Sequence, residues 1–271
     1  MSTLDDSDQI RPVRDAPAPA PAATVARGRR RVPPGVRRAA TELVLIGALF
    51  GVYKLGRAVV ADEVGSAVEH ADLVHRAEAA LGLPSEAALQ AAVHSELLLR
   101  IANVYYTGVH FPLMIVFLLW GYLRRPQRDY EWARNLLILQ TGAALVIHLV
   151  FPLAPPRMFP TWGFVDTMTI YGPSPYDGAS GAMANQFAAM PSLHVGWAVL
   201  IAYVVVRTGP RWLAGIAAVH AVVTTLVVVV TANHWWLDAL VGVALLVFAD
   251  LALRWAGRGP VATPVQVTAE P

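Results

Sequence analysis

No cysteine occurs in this chain of 271 residues, which excludes disulfides, thiolate metal sites and a thiol nucleophile and leaves the redox compartment open. Charge is scarce too: 15% of residues are charged against 56% hydrophobic, a balance too apolar for an ordinary soluble domain. There is no HExxH, no histidine box, no internal repeat and no RNA- or DNA-binding module, so nucleic acid is excluded as a partner and neither a metal nor another cofactor is expected. A cleavable signal is not expected either, because about forty polar, Pro-rich residues come before the first apolar run. They carry Asp5, Asp6 and Asp8, a Pro/Ala stretch from Ala16 to Ala23, and then Arg27, Arg29, Arg30, Arg31, Arg37 and Arg38. Residues 1–38 therefore read as a retained, disordered basic tail and 258–271 as a second disordered tail, flanking one membrane domain over 39–257.

What the chain does have is apolar runs, at Ala39 to Ala61, Leu97 to Leu123, Trp132 to Leu153, Pro191 to Val206, Trp212 to Thr231 and Trp235 to Trp255. Each is close to the roughly 20 residues a helix needs to cross a bilayer, the fourth being the shortest. Backbone groups in lipid must be satisfied internally, so the expected fold is all-α: a polytopic bundle of six transmembrane helices. In a six-span zigzag the arginine-rich tail, the connection with Arg124, Arg125, Arg128 and Arg134, the connection with Arg207 and Arg211, and the end with Arg254 and Arg258 share one face. The positive-inside rule makes that face cytoplasmic, with both termini, and accounts for the formal charge of +2. Ala, Val and Arg richness points to a bacterial plasma membrane.

The outer face then receives residues 62–100, the long connection from Ala154 to Met190, and the turn from Ala232 to Asp238. In the first of these Val68, Leu73, Val74, Ala77 and Leu81 recur among Glu69, Asp72, Arg76 and Glu78, predicting an amphipathic surface helix. Gly82 and Pro84 end it, and Ser85 with Glu86 open a second helix. The Ala154 to Met190 connection lacks helical period; its Trp162, Phe164, Tyr171 and Tyr176 would shield an intermediate from water.

Two peptides on that face carry chemistry-bearing groups. In His234-Trp235-Trp236-Leu237-Asp238 the four-residue spacing puts imidazole and carboxylate on one helix face, where the carboxylate can fix the ring's tautomer and leave the other nitrogen as nucleophile or base. The competing account is a helix start, with Asn233 as N-cap, Asp238 near the positive dipole end and tryptophans at the interface. In Pro191-Ser192-Leu193-His194, a proline suited to a first helical turn sets Ser192 and His194 where free amides favour an anion. Arg157, behind Pro155-Pro156, stands on the face where topology gives arginine no reason to be; its guanidinium suits either a bidentate phosphate contact or lipid headgroups. His110 and His148 read as interhelical hydrogen-bonding groups ahead of substrate contacts, and His220 as structural.

Arg157, Pro191-Ser192-Leu193-His194, and His234 with Asp238, in this order, resemble the type 2 phosphatidic acid phosphatase superfamily of membrane phosphoesterases. The PSLH form, the Pro-Pro-Arg before it and the stretch Asn103, Tyr106, His110, Pro112 resemble its inositol phosphorylceramide synthase-like branch, over roughly residues 40 to 257. The resemblance implies that His234 attacks phosphorus and forms a phosphohistidine, that Asp238 orients it, that His194 protonates the leaving alkoxide, and that Arg157 and Ser192 hold the phosphate. Arg100, Asn103, Tyr106 and His110 are candidate substrate-cavity residues. The superfamily's lysine seven residues before the first-motif arginine is here Val150, and its Ser-Arg before the nucleophilic histidine is here Val227-Val228. Two cations are thus missing, as they tend to be in the inositol-transfer branch. The implied function is a lipid phosphatase or phosphotransferase acting on a lipid phosphate or phospholipid at the outer face; the alternative is a lipid-binding or lipid-transporting protein of the same fold.

Overall fold

The structure, a computed structural model, describes residues 34–60, 63–174 and 186–259. Tyr176 and most of both expected tails lie outside the described residues. The chain divides into two units, residues 1–43 and 44–271. In the first, the described residues 34–43 are helical; they begin α1 (Pro34–Val60). The second contains α2 (Val64–Ala80), α3 (Glu86–Ala91), α4 (Glu96–Gly108), α5 (His110–Arg124), α6 (Gln127–Val150), α7 (Thr167–Tyr171), α8 (Leu193–Thr208), α9 (Arg211–Val230) and α10 (Trp236–Trp255). Among the described residues the only extended pairing is an isolated bridge between Leu153 and Ala188, so the fold is all-α.

Three described helices, α6, α9 and α10, are long and apolar enough to cross a membrane, and α4 with α5 makes a fourth if that bent pair is one span. These apolar helices mark an integral membrane protein. The expected continuous run from Leu97 to Leu123 is instead broken at Val109, with a bend of 43°. Pro112 is the cause: it has no amide to donate, and its ring would clash with the carbonyl of Gly108, four residues back, if the helix ran straight on. At 16 residues α8 falls short of the crossing length, because its N-terminus is spent on the Pro191-Ser192 turn and Gly209-Pro210 ends it.

The core lies where α6, α8 and α10 pack, with Trp132, Leu136, Leu200, Val204, Leu246 and Leu253 buried together. Two glycines set how closely these helices approach. A Cβ on Gly196 would meet Gln140 Nε2 at 2.7 Å, the end of a flexible side chain, whereas a Cβ on Gly242 would meet the Ser192 backbone carbonyl at 2.6 Å, which cannot step aside alone. Gln140 Nε2 donates to the Gly242 carbonyl (2.9 Å), and the Ser192 amide donates to the Asp238 carbonyl (2.9 Å). The start of α8 is thereby bonded to the first turn of α10.

On α2 the buried stripe is Ala67, Ala71, Val74 and Glu78, whereas Val68, Leu73 and Leu81 of the amphipathic pattern are exposed. Small side chains let the backbone come close: Ala154 donates its amide to the Ala67 carbonyl (3.1 Å), and His70 Nδ1 donates to the Pro152 carbonyl (2.7 Å). The long connection after α6, expected without helical period, contains 3-10 turns at Pro156–Met158 and Pro160–Trp162 and the short α7. Asp166 caps α7 through the amides of Met168 and Thr169, which a search for apolar period could not detect. Gly242→Ala is expected to destabilise the protein by about 1–3 kcal/mol despite alanine's higher helix propensity, because the new methyl overpacks against backbone. Thermal unfolding in detergent checks it; an unchanged transition would remove Gly242 as the spacer.

Candidate active site

Between α9 and α10 the chain turns through Thr231 to Trp235. Ala232 adopts φ 53°, a conformation that costs a non-glycine residue about 1–3 kcal/mol and persists only where neighbours over-determine it. They do: its carbonyl accepts the Arg157 amide (2.8 Å), and the amides of Asn233 and His234 both donate to the Val228 carbonyl (3.0 and 3.2 Å). The turn presents His234 inward, 4% exposed.

His234 Nδ1 lies 2.9 Å from the Ala189 carbonyl, which only accepts, so Nδ1 carries the hydrogen and Nε2 keeps its lone pair. Nε2 is buried and has no hydrogen-bond partner among the described residues. Asp238 Oδ2 stands farther from Nδ1, at 3.4 Å, and makes its short bond to the Trp235 amide (2.8 Å). The N-cap of α10 is therefore Trp235 and not Asn233, and the ring's tautomer is set first by a backbone carbonyl and only second by Asp238. Burial pushes the His234 pKa down to about 4, opposed by the Ala189 carbonyl and reinforced by the Arg157 guanidinium.

His194 faces this ring, 5.6 Å away between centroids, and stacks on Tyr106 at 4.2 Å. It occupies the first turn of α8, where Ser192 caps the helix by accepting the Val195 amide (3.3 Å). Arg157 is 8% exposed and donates through Nε to Asn233 Oδ1 (3.2 Å), with Asp166 Oδ2 at 3.7 Å from Nη1. Asn233 is itself held by Thr231 Oγ1 (2.9 Å), so the guanidinium is anchored to the residue next to His234. Two imidazoles, one with a free buried nitrogen, brought together from α8 and the turn before α10, with a guanidinium bonded to that turn, suit in-line transfer of a phosphoryl group through nitrogen.

The PAP2 superfamily matches residues 72–252, from within α2 to near the end of α10. The chain belongs to that superfamily. Its members are phosphoesterases with a phosphatase or phosphotransferase fold. No curated protein matches the chain, and no solved structure does.

Within the PAP2 region the candidate cavity residues divide. Tyr106 and His110 join the site: His110 is buried, its ring 4.9 Å from His194, and neither of its nitrogens has a partner among the described residues. Asn103 and Arg100 are engaged elsewhere. Asn103 Nδ2 donates to the Thr167 carbonyl (2.8 Å) and Oδ1 accepts from Thr167 Oγ1 (3.0 Å), clamping α7. Arg100 is exposed and reaches the Tyr171 carbonyl at 3.4 Å. His148 Nε2 donates to the Pro191 carbonyl (3.2 Å), and His220 pairs with Tyr105. Val150 is 72% exposed, and Val228 is fully buried. Among the described residues no three His, Asp or Glu side chains gather as a metal site.

The sequence reading missed the acids above this PAP2 site. Glu78 Oε1 accepts the Leu237 amide (2.8 Å) and Glu86 Oε1 the Trp236 amide (3.2 Å). The signal was there: Glu78 falls four residues after Val74 on a stripe otherwise of alanine and valine. Asn233 was read only as a cap, and its grip on Arg157 has no sequence signature.

Because His234 is held neutral, the acid limb of kcat/KM attributable to it is expected near pH 4, below the ordinary histidine value of 6.5. The linked stability is present above 6.5 and lost as pH falls through about 4, since the lowered pKa makes the folded state resist protonation. A pH–rate profile corrected for unfolding checks this; a limb centred at the ordinary value would contradict it.

Proposed function

We propose that the chain is a metal-independent lipid phosphatase or phosphotransferase of six crossings, with cytoplasmic termini and a site on the outer face, working through a phosphohistidine at His234. The observation that carries it is the free Nε2 of His234 facing His194 beside Arg157. In the first step Nε2 attacks phosphorus, the P–O bond to the lipid breaks, and His194 gives its proton to the departing alkoxide. Next, His194 takes a proton from water or from an acceptor hydroxyl, whose oxygen attacks phosphorus while the P–N bond breaks. Water yields inorganic phosphate from a phosphomonoester; a hydroxyl acceptor receives the group, such as phosphoinositol from a phosphodiester donor.

A lipid substrate is supported by an open apolar groove of about 310 Å³ lined by Leu83, Val195, Val199, Trp236, Leu240 and Val243. The groove runs along α8 and α10, the two helices whose starts carry His194 and follow His234. The second reading, a lipid binder without turnover, draws on Val150, Val227 and Val228 at positions where the wider superfamily has cations and their neighbour.

Purified protein in detergent with phosphorylated lipids and EDTA separates these. Phosphate release identifies the hydrolase, headgroup exchange without release identifies the transferase, and silence on a broad panel supports the binder; activity lost to EDTA would restore a metal. His234→Ala is expected to abolish turnover. Asp238→Asn should lower kcat by only about 10–100-fold, because the Ala189 carbonyl still holds the tautomer and an amide oxygen can still cap Trp235. Wild-type rates in His234→Ala would end the assignment.

A further inference from the structure

The chemistry above makes no use of α2 and α3, yet these helices bring two acids, each 3% exposed, onto the start of α10. Three successive amides are met by three carboxyl groups: Trp235 by Asp238, Trp236 by Glu86 and Leu237 by Glu78. Free amides at a helix start welcome negative charge, but three buried carboxylates would repel one another, and among the described residues neither glutamate has an ion-pair partner. Glu78 Oε2 is buried without a donor from the described residues. A proton on Glu78 resolves both facts, since it removes one charge and gives the buried Oε2 a hydrogen to donate.

We propose that Glu78, in its protonated form, and Glu86 are positioning residues that clamp the first amides of α10 and so hold the adjoining His234 turn in place. The rest of the surroundings agrees. Burial, the bond to Glu86 and the charges of Glu86 and Asp238 hold Glu78 up at about 9, against a downward pull from the Leu237 amide. Those two acids are the charged groups facing Glu78 from α3 and α10; on α2 itself, His75, one turn back, stacks on Trp162 at 4.6 Å. Trp236 Nε1 donates to the Pro84 carbonyl (2.8 Å), tying the α2–α3 turn to the same helix start. Sign matters: with its pKa raised, Glu78 contributes fully at low pH, and its contribution is lost as pH rises from 4.5 through about 9. Deprotonation then sets two charges against each other and loosens the clamp.

The kinetic part rests on His234 being the nucleophile; the structural part does not. Pulsed amide exchange on the full-length protein in detergent, corrected for intrinsic rates, reads Trp236 and Leu237 directly, and kcat is followed in parallel. In the parent, protection and kcat should fall together as pH passes about 9. Glu78→Gln should keep both beyond that pH, since its amide accepts from Leu237 and donates to Glu86 without titrating. Glu78→Leu should lose the protection at every pH, with kcat down about tenfold and KM unchanged. Parent protection that does not fall with pH, or falls equally in Glu78→Gln, overturns the clamp, and the Gln variant decides alone if the Leu variant does not fold. Absence of turnover on every lipid would sink the proposed function, while amide exchange would still judge the clamp.

Discussion

The bond from the Ser192 amide to the Asp238 carbonyl is the contact on which the site depends. It joins the starts of two helices whose histidines are forty residues apart in sequence, and it forms only because Gly242 leaves the Ser192 carbonyl room. Gln140, buried in α6 and bonded to Gly242, closes the same crossing from a third helix. Backbone packing thus fixes how near the two helix starts lie, and from there the rings of His194 and His234 reach a centroid distance of 5.6 Å. His234 itself lies in a turn, but one bonded at Ala232 and Asn233 and to the Ala189 carbonyl, and chemistry that relies on positioning needs that constraint.

The second constraint is the start of α10. Helix ends leave amides unsatisfied, and here the amides of Trp235, Trp236 and Leu237 are met by Asp238, Glu86 and Glu78, the last two from α3 and α2. Trp235, fully buried, anchors the same helix start by donating to the Ala154 carbonyl (3.0 Å) and packing edge-on against Phe164. Gln90 adds to these contacts, donating to the Val165 and Val230 carbonyls and accepting the Val165 amide. The helices α2 and α3 therefore supply the acceptors for the first free amides of α10.

How much of this could be read from the chain alone follows from the range of each interaction. The helices were legible because apolar runs report burial directly, and the three motifs because their residues sit at fixed local spacings. The break at Val109 was also written in the chain, in Gly108 and Pro112, but the apolar run on both sides hid it. Asn103 and Arg100 were cavity candidates through the family resemblance and the search for a substitute cation, yet the structure gives both to α7, at Thr167 and Tyr171, and no local pattern in the chain marks that segment as their partner. Ala189 as the partner of His234 was illegible in principle, because a backbone carbonyl has no residue code. The Glu78–Glu86 pair was hidden by its own chemistry: on an amphipathic helix a glutamate reads as solvated, and only the neighbouring buried amides make it a core residue.

The shortage of cations bears on which arm of the proposed chemistry this site fits. A phosphomonoester brings close to two negative charges and a phosphodiester one. The described site offers one guanidinium, already shared with Asn233 and near Asp166, and the amides at the start of α8. Above it stand carboxyl groups that would add repulsion were all of them ionised. A donor with a single charge asks less of such a site, both on entry and in the transition state, where the dispersed charge must be met by fixed dipoles. Under the proposed chemistry, a site with this single guanidinium would suit a phosphodiester donor better than a phosphomonoester. The relative rates on a matched pair of such lipids, differing only in that one ester bond, weigh this argument directly.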